Sequence, residues 1–238
     1  MKRYVIPALT VLAAVGFVFT LWEVFVETPV QVTLGDRGQI LVGQSLFFNQ
    51  KIFYYHVANA FMLFAAVGTT GFCSIAYLKT RNAKWDDVAL AAGEIAVMFG
   101  LVVLVTGSIW AKAAWDLWWV WEKRLTMSLL LWLTLVGYVL VRRFAGAGSE
   151  RLAAGLAVFG TVAVPFIYVM VSQGDHHPQA GASGNVATLS GQMKISFWFS
   201  VLTFLFWFLA LIISRVSSAR AERRVRELHE RAMDAGVL

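Results

Sequence analysis

The chain is expected to be an all-α integral membrane protein with six transmembrane helices, and three observations lead there. Of its 238 residues, 59 % are hydrophobic and only 14 % are charged, against about 25 % charge in soluble domains. Six apolar runs approach the ~20 residues needed to cross a ~30 Å hydrocarbon core. The basic residues fall very unevenly on the segments between those runs.

The runs cover Tyr4–Val26, His56–Leu78, Val88–Ile109, Leu125–Val141, Leu152–Val171 and Ile195–Ile213. The first follows Lys2 and Arg3, as the core of a signal peptide would. It is longer than a secretory apolar core and ends on no small-x-small cleavage site, so it reads as a span. The fourth is short, which leaves its start open. With the N-terminus inside, the inner segments hold Lys2, Arg3, Lys79, Arg81, Lys84, Arg142, Arg143, Arg151, Arg215, Arg220, Arg223, Arg224, Arg226 and Arg231. The outer ones hold Arg37, Lys51, Lys112, Lys123, Arg124 and Lys194. This asymmetry places both termini in the cytoplasm by the positive-inside rule. The net charge of +6 is then an orientation signal and a contact for anionic lipid, and nucleic acid is not expected as a partner.

Three longer segments face outward in this topology: Glu27–Tyr55, Trp110–Arg124 and Ser172–Lys194. The inner loops KTRNAKWDD and RRFAGAGSER are short, so any chemistry is expected on the outer face. Residues 1–214 form the membrane domain, and 215–238 a basic, solvated cytoplasmic tail. The lone Cys73 has no partner for a disulfide within the chain and reads as a packing residue. Glu94 is an acid inside the third span, where an unpaired charge is costly. It is expected to be protonated or paired with a Thr or Tyr on a neighbouring helix, with contact to a transporter subunit as the minority reading.

The outer boundary gathers the informative residues. His56 stands in QKIFYYHVANAF at the head of the second span, and His176 and His177 stand in SQGDHHPQ after the fifth. His229 lies in the tail, where a solvated residue is the default. Two histidine sites far apart in sequence, at one membrane depth, can clasp a flat metal complex from both faces, and haem iron takes axial His. Zinc would want three or four ligands at recognisable spacing, which is missing. Taken singly, each site is more often an ordinary interfacial residue.

Between the histidines lies WDLWWVWEKRLT, residues 115–126, with four tryptophans in seven positions. Tryptophan favours membrane interfaces, and that reading or plain packing suffices for Trp22, Trp85, Trp132, Trp198 and Trp207. Here the density asks for more. If the segment is helical, Trp115, Trp118, Trp119 and Glu122 fall at i, i+3, i+4 and i+7 and form one nearly flat aromatic face able to receive a flat ligand. Lys51, Lys123 and Arg124 are candidates for the two haem propionates, Arg124 foremost because its planar fork binds a carboxylate bidentately.

VTGSIWAKAAWDLWWVWEKRLT, residues 105–126, resembles the tryptophan-rich "WWD" signature of the haem-handling proteins of cytochrome c maturation. QKIFYYHVANAF and VPFIYVMVSQGDHHPQ resemble the segments that hold the two ligand histidines in that group. With the order His, WWD, His and about this length, the chain is most similar to the CcmC family, over nearly its whole length. The resemblance implies a bacterial inner-membrane protein, not an enzyme, that holds haem b non-covalently at the periplasmic face. With the ABC transporter subunits CcmA and CcmB and the small subunit CcmD, it would deliver haem to the chaperone CcmE. Position by position, His56 matches the first axial ligand and His177 the second, with His176 as alternative. Trp115, Trp118, Trp119 and Trp121 match the aromatic platform, and Arg124 the Arg of the RLT ending. The family has Gly where this chain has Asp116, and Asp where it has Glu122. Other readings are a b-type cytochrome-like electron-transfer protein, which would need histidine pairs on both sides of the bilayer, and a haem-independent transporter subunit.

Overall fold

The computed structural model describes residues 2–30, 36–39, 50–146, 148–170, 189 and 191–236. Among these the secondary structure is entirely helical: α1 Lys2–Trp22 continuing into a π-helical turn Glu23–Glu27, α2 Gln50–Thr80, α3 Ala83–Trp115, α4 Lys123–Phe144, α5 Glu150–Met170 and α6 Gly191–Asp234. The stretches Tyr4–Glu27, Gln50–Thr80, Ala83–Ala113, Lys123–Phe144 and Gly191–Asp234 are each long and apolar enough to cross a membrane. The chain is a multi-pass membrane protein. The fifth apolar run, expected as a span, falls on α5, 21 residues long, which is not among these five stretches.

Except at the end of α5, the helices extend beyond the apolar runs at both ends, because helical hydrogen bonding does not stop where hydropathy falls. His56 therefore sits inside α2 rather than at its head. The basic tail is no separate element either, since α6 continues without a break from the last apolar run to Asp234.

α2 and α3 form the central antiparallel pair, with α1 and α6 together on one flank and α4 and α5 on the other. The main core joins Met62, Leu63, Ala66 and Val67 of α2 to Ile95, Ala96 and Phe99 of α3, with Leu131 and Leu135 of α4 and Phe208 of α6. Lipid solvates apolar side chains as well as a core does, so close fit and hydrogen bonds hold such a bundle rather than expulsion of water. Three glycines of α3, spaced by seven, show the fit. A Cβ on Gly93 would lie 2.4 Å from the Tyr138 ring, one on Gly100 2.6 Å from Trp132, and one on Gly107 3.3 Å from His56. Each glycine is the floor of a slot that receives a ring from α4 or α2. Trp132 also donates its indole N–H to the Val97 carbonyl at 3.0 Å.

The end of the bundle that holds the α2–α3 turn is tied by ion pairs from three acids of α3. Asp86 meets Arg142 at 2.6 Å, Asp87 meets Arg223 at 3.1 Å, and Glu94 takes both Arg143 at 2.5 Å and Arg215. Glu94 thus finds two arginines in place of the Thr or Tyr expected from the sequence, because α4 and α6 both end their apolar stretches beside it. Arg223 docks the extension of α6 back onto α3, and its hydrogen bonds to the Asp87 carboxylate, with a further one to Glu227, hold its guanidinium firmly in the charged form.

Candidate functional site

The opposite end of the bundle collects the start of α2, the ends of α1 and α3, and the starts of α4 and α6. α3 stops at Trp115 because Asp116 adopts the left-handed conformation, φ 60° and ψ 18°. Asp is one of the few non-glycine residues that visits this region readily. Its N–H bonds the Lys112 carbonyl at 3.1 Å, while the Lys112 ammonium bridges back to the Asp116 carboxylate at 2.5 Å. That ammonium holds the Asp116 carboxyl below the usual range. The position at which the resemblance expects glycine is therefore one whose backbone favours glycine, with a lysine clamp on the aspartate that replaces it.

This stop corrects the helical platform expected from the sequence. Residues 116–122 are not helical, so Trp115, Trp118, Trp119 and Glu122 do not line one helix face. A chain that must reverse between two antiparallel helices in seven residues cannot spend them on two further turns of helix. The tryptophans form two ring pairs instead. Trp115, the last residue of α3, stacks on Trp110 with centroids 6.5 Å apart and planes at 28°. In the connection, Trp119 meets Trp121 edge to face at 5.8 Å. Trp118 and Trp121 are 62 % and 76 % exposed, a large aromatic surface beside a buried one. Among the described residues, the Trp119 indole N–H is buried without an acceptor.

Glu122 is the N-cap of α4, where a carboxylate is favourable to the helix dipole. Its charge acts on Arg124, which lies half-buried in the first turn of α4. Lys123 beside it is exposed.

His56 reaches this group from α2. Its Nδ1 lies 2.9 Å from Thr106 Oγ1 on α3, its ring meets Trp110 edge to face at 6.2 Å, and Gly107 provides the space beside it. The result is a continuous sequence of rings, His56 to Trp110 to Trp115, running from inside the bundle to the tryptophan-rich connection. Thr106, Gly107 and Trp110 were not singled out in the sequence. Their signal was present, because Thr106 and Trp110 stand at i and i+4 on one helix face and Gly107 is the third glycine of a seven-residue series.

Lys51 is placed elsewhere. It is only 3 % exposed, and its ammonium donates to the carbonyls of Val24, at 2.6 Å, and Thr28. The π-helical end of α1 presents these carbonyls, and a cation there satisfies both the acceptors and the dipole. Nearby, Glu23 accepts from Gln192 at 2.5 Å and from Ser196 at 3.2 Å, and Thr28 donates to Ser196 at 2.7 Å. Lys51 therefore joins α1 to α2, a position that differs from the propionate contact expected of it. His176 and His177 lie outside the described residues.

A ligand of haem type is chemically compatible with the residues that are described. They include an imidazole in a ring-lined setting, a buried indole N–H without an acceptor, exposed aromatic surface and a half-buried arginine. Residues 1–231 match the family CcmC, heme exporter protein C. Similar proteins include the heme exporter protein C of Bradyrhizobium diazoefficiens, 29 % identical over 182 residues that cover 75 % of this chain and 69 % of that one. That of Escherichia coli K12 is 34 % identical over 131 residues, about half of each chain. That of Paracoccus denitrificans is 26 % identical over 183 residues, 75 % of this chain and 76 % of its own. With the family matched along almost the whole sequence, and over the helices that carry His56 and the tryptophan-rich connection, this chain belongs to the CcmC, heme exporter protein C, family.

Proposed function

We propose that this protein handles haem for cytochrome c maturation, holding it at the periplasmic face of the bacterial inner membrane and releasing it to the chaperone CcmE. The observation that carries this reading is the placement of His56. Its imidazole is fixed against Trp110, and Trp110 is stacked on Trp115, at the end of the bundle where the tryptophan-rich connection emerges. In a six-span topology with both termini cytoplasmic, which the basic residues favour, that end faces the periplasm.

His56 supplies one axial ligand to haem b, and His177, with His176 as alternative, supplies the other. Trp115, Trp118, Trp119 and Trp121 provide aromatic surface for the macrocycle, with Trp115 stacked on Trp110 and Trp119 set against Trp121 around a turn rather than on one helix face. Arg124, and Lys123 at the rim, neutralise the propionates. Glu122 helps hold Arg124 in place. Non-covalent axial ligation suits a carrier, because the cargo can leave when a partner competes for the iron. We place CcmA, CcmB and CcmD as the membrane partners of this step. No bond of a substrate is made or broken by the chain itself.

The test is haem content after purification with and without CcmE. The wild type should carry haem with a bis-histidine absorption spectrum and lose it to added CcmE. Retention of all haem in the presence of CcmE would exclude the transfer role, and absence of haem from the protein alone and from its complex would exclude binding.

A further inference from the structure

Thr106 Oγ1 has three oxygen or nitrogen neighbours. His56 Nδ1 is at 2.9 Å, the Val102 carbonyl oxygen at 2.7 Å and the Val103 carbonyl oxygen at 3.3 Å. A threonine hydroxyl has one proton to give and lone pairs to accept with. A carbonyl oxygen can only accept, so the 2.7 Å approach to Val102 requires that proton. The hydroxyl is then left as an acceptor towards the imidazole, and Nδ1 must carry the N–H. The opposite assignment, with Thr106 donating to Nδ1, would set two lone-pair oxygens 2.7 Å apart with no proton between them.

We propose that Thr106 is the positioning residue of His56: by accepting from Nδ1–H it fixes the imidazole in the tautomer whose lone pair is on Nε2, the nitrogen then offered to iron. The proposal rests on the reading of His56 as a haem ligand. A metal-binding histidine commonly gives its other N–H to an acceptor that fixes tautomer and ring plane and raises basicity. Here that acceptor is a hydroxyl already tied to its own helix, so its lone pair points from a rigid base. Gly107, the next residue, leaves the ring room to lie against α3, and Trp110, one turn further, meets the ring edge. Three residues within one and a half turns of α3 thus form a socket for one side chain of α2.

The experiment uses the full chain in lipid nanodiscs with 15N-labelled imidazole rings and without haem. Long-range proton–nitrogen correlation spectra distinguish a protonated from an unprotonated ring nitrogen, and His56→Ala identifies the His56 signals. The wild type should show Nδ1 protonated and Nε2 unprotonated. Thr106→Val keeps the shape and removes the acceptor. It should shift His56 toward the Nε2–H form and weaken haem binding about 10- to 100-fold, the range usual for loss of such a partner. Thr106→Ser should restore both.

A wild-type His56 protonated on Nε2 overturns the proposal, as does a Thr106→Val protein with unchanged tautomer and unchanged haem affinity. If Thr106→Val does not fold, the wild-type tautomer decides alone. Failure of the haem reading is separately visible as undiminished haem binding by His56→Ala, an outcome that leaves the haem-free spectra as they are.

Discussion

Substitution Gly107→Ala separates what holds the bundle together from what holds the site. In the middle of a helix, alanine is favoured over glycine by about 1 kcal/mol. The added Cβ meets the His56 ring at 3.3 Å from Cε1, so the ring must move by a few tenths of an ångström, which a side chain at the end of the bundle accommodates with little loss of packing. Global stability should therefore stay level or rise by up to about 1 kcal/mol. Haem affinity should fall, since misplacement by 1 Å can cost about 100-fold and a few tenths correspond to roughly three- to tenfold. Two relatives of the substitution calibrate it. Gly68→Ala meets nothing within 4 Å and should stabilise by about 1 kcal/mol without changing haem binding. Gly100→Ala drives a Cβ to 2.6 Å from Trp132, whose N–H is tied to Val97, and should destabilise by about 1–3 kcal/mol through overpacking. Thermal unfolding in micelles and haem titration followed at the Soret band give both numbers for each variant. A Gly107→Ala protein that binds haem as the wild type does, or that is destabilised as much as Gly100→Ala, would refute the argument that Gly107 serves the histidine.

Other residues separate in the same way. Asp116→Gly should fold and bind haem, because glycine suits φ 60°, whereas Asp116→Val should cost about 1–2 kcal/mol of strain in thermal unfolding. Glu94→Gln removes the acid shared by Arg143 and Arg215 and should lower stability by about 1–3 kcal/mol, with haem affinity in the surviving folded fraction unchanged in titration. Lys51→Met should lower the unfolding temperature while leaving haem stoichiometry intact, and Arg124→Gln should do the reverse. Equal effects of these two on haem would return Lys51 to the propionates.

The membrane class was legible because it depends on composition, and the helices coincide with the apolar runs because a long apolar segment has no other way to satisfy its backbone in lipid. The helix ends were not legible. α2 begins at Gln50 and α6 runs to Asp234, since helical hydrogen bonding continues past the point where hydropathy falls. The site was legible as a set of residue types and hidden as geometry. Four tryptophans in WDLWWVWEKRLT invited a helical face, and only the left-handed backbone of Asp116 excludes it. Lys51 near His56 in sequence read as a site cation, but its partners are carbonyls of α1, a helix distant in sequence. Glu94 looked unpaired for the same reason, its arginines lying on α4 and α6. Thr106 and Gly107 carry no chemistry alone, and gain it only when α2 sets His56 against them.

The most direct test of the central claim is the absorption spectrum of the purified wild type beside His56→Ala, each reconstituted with equal haem. The account predicts a Soret band with bis-histidine features in the wild type and its loss or conversion to a five-coordinate spectrum in His56→Ala. An identical spectrum and affinity in the two proteins, or no Soret band in the wild type, would contradict it.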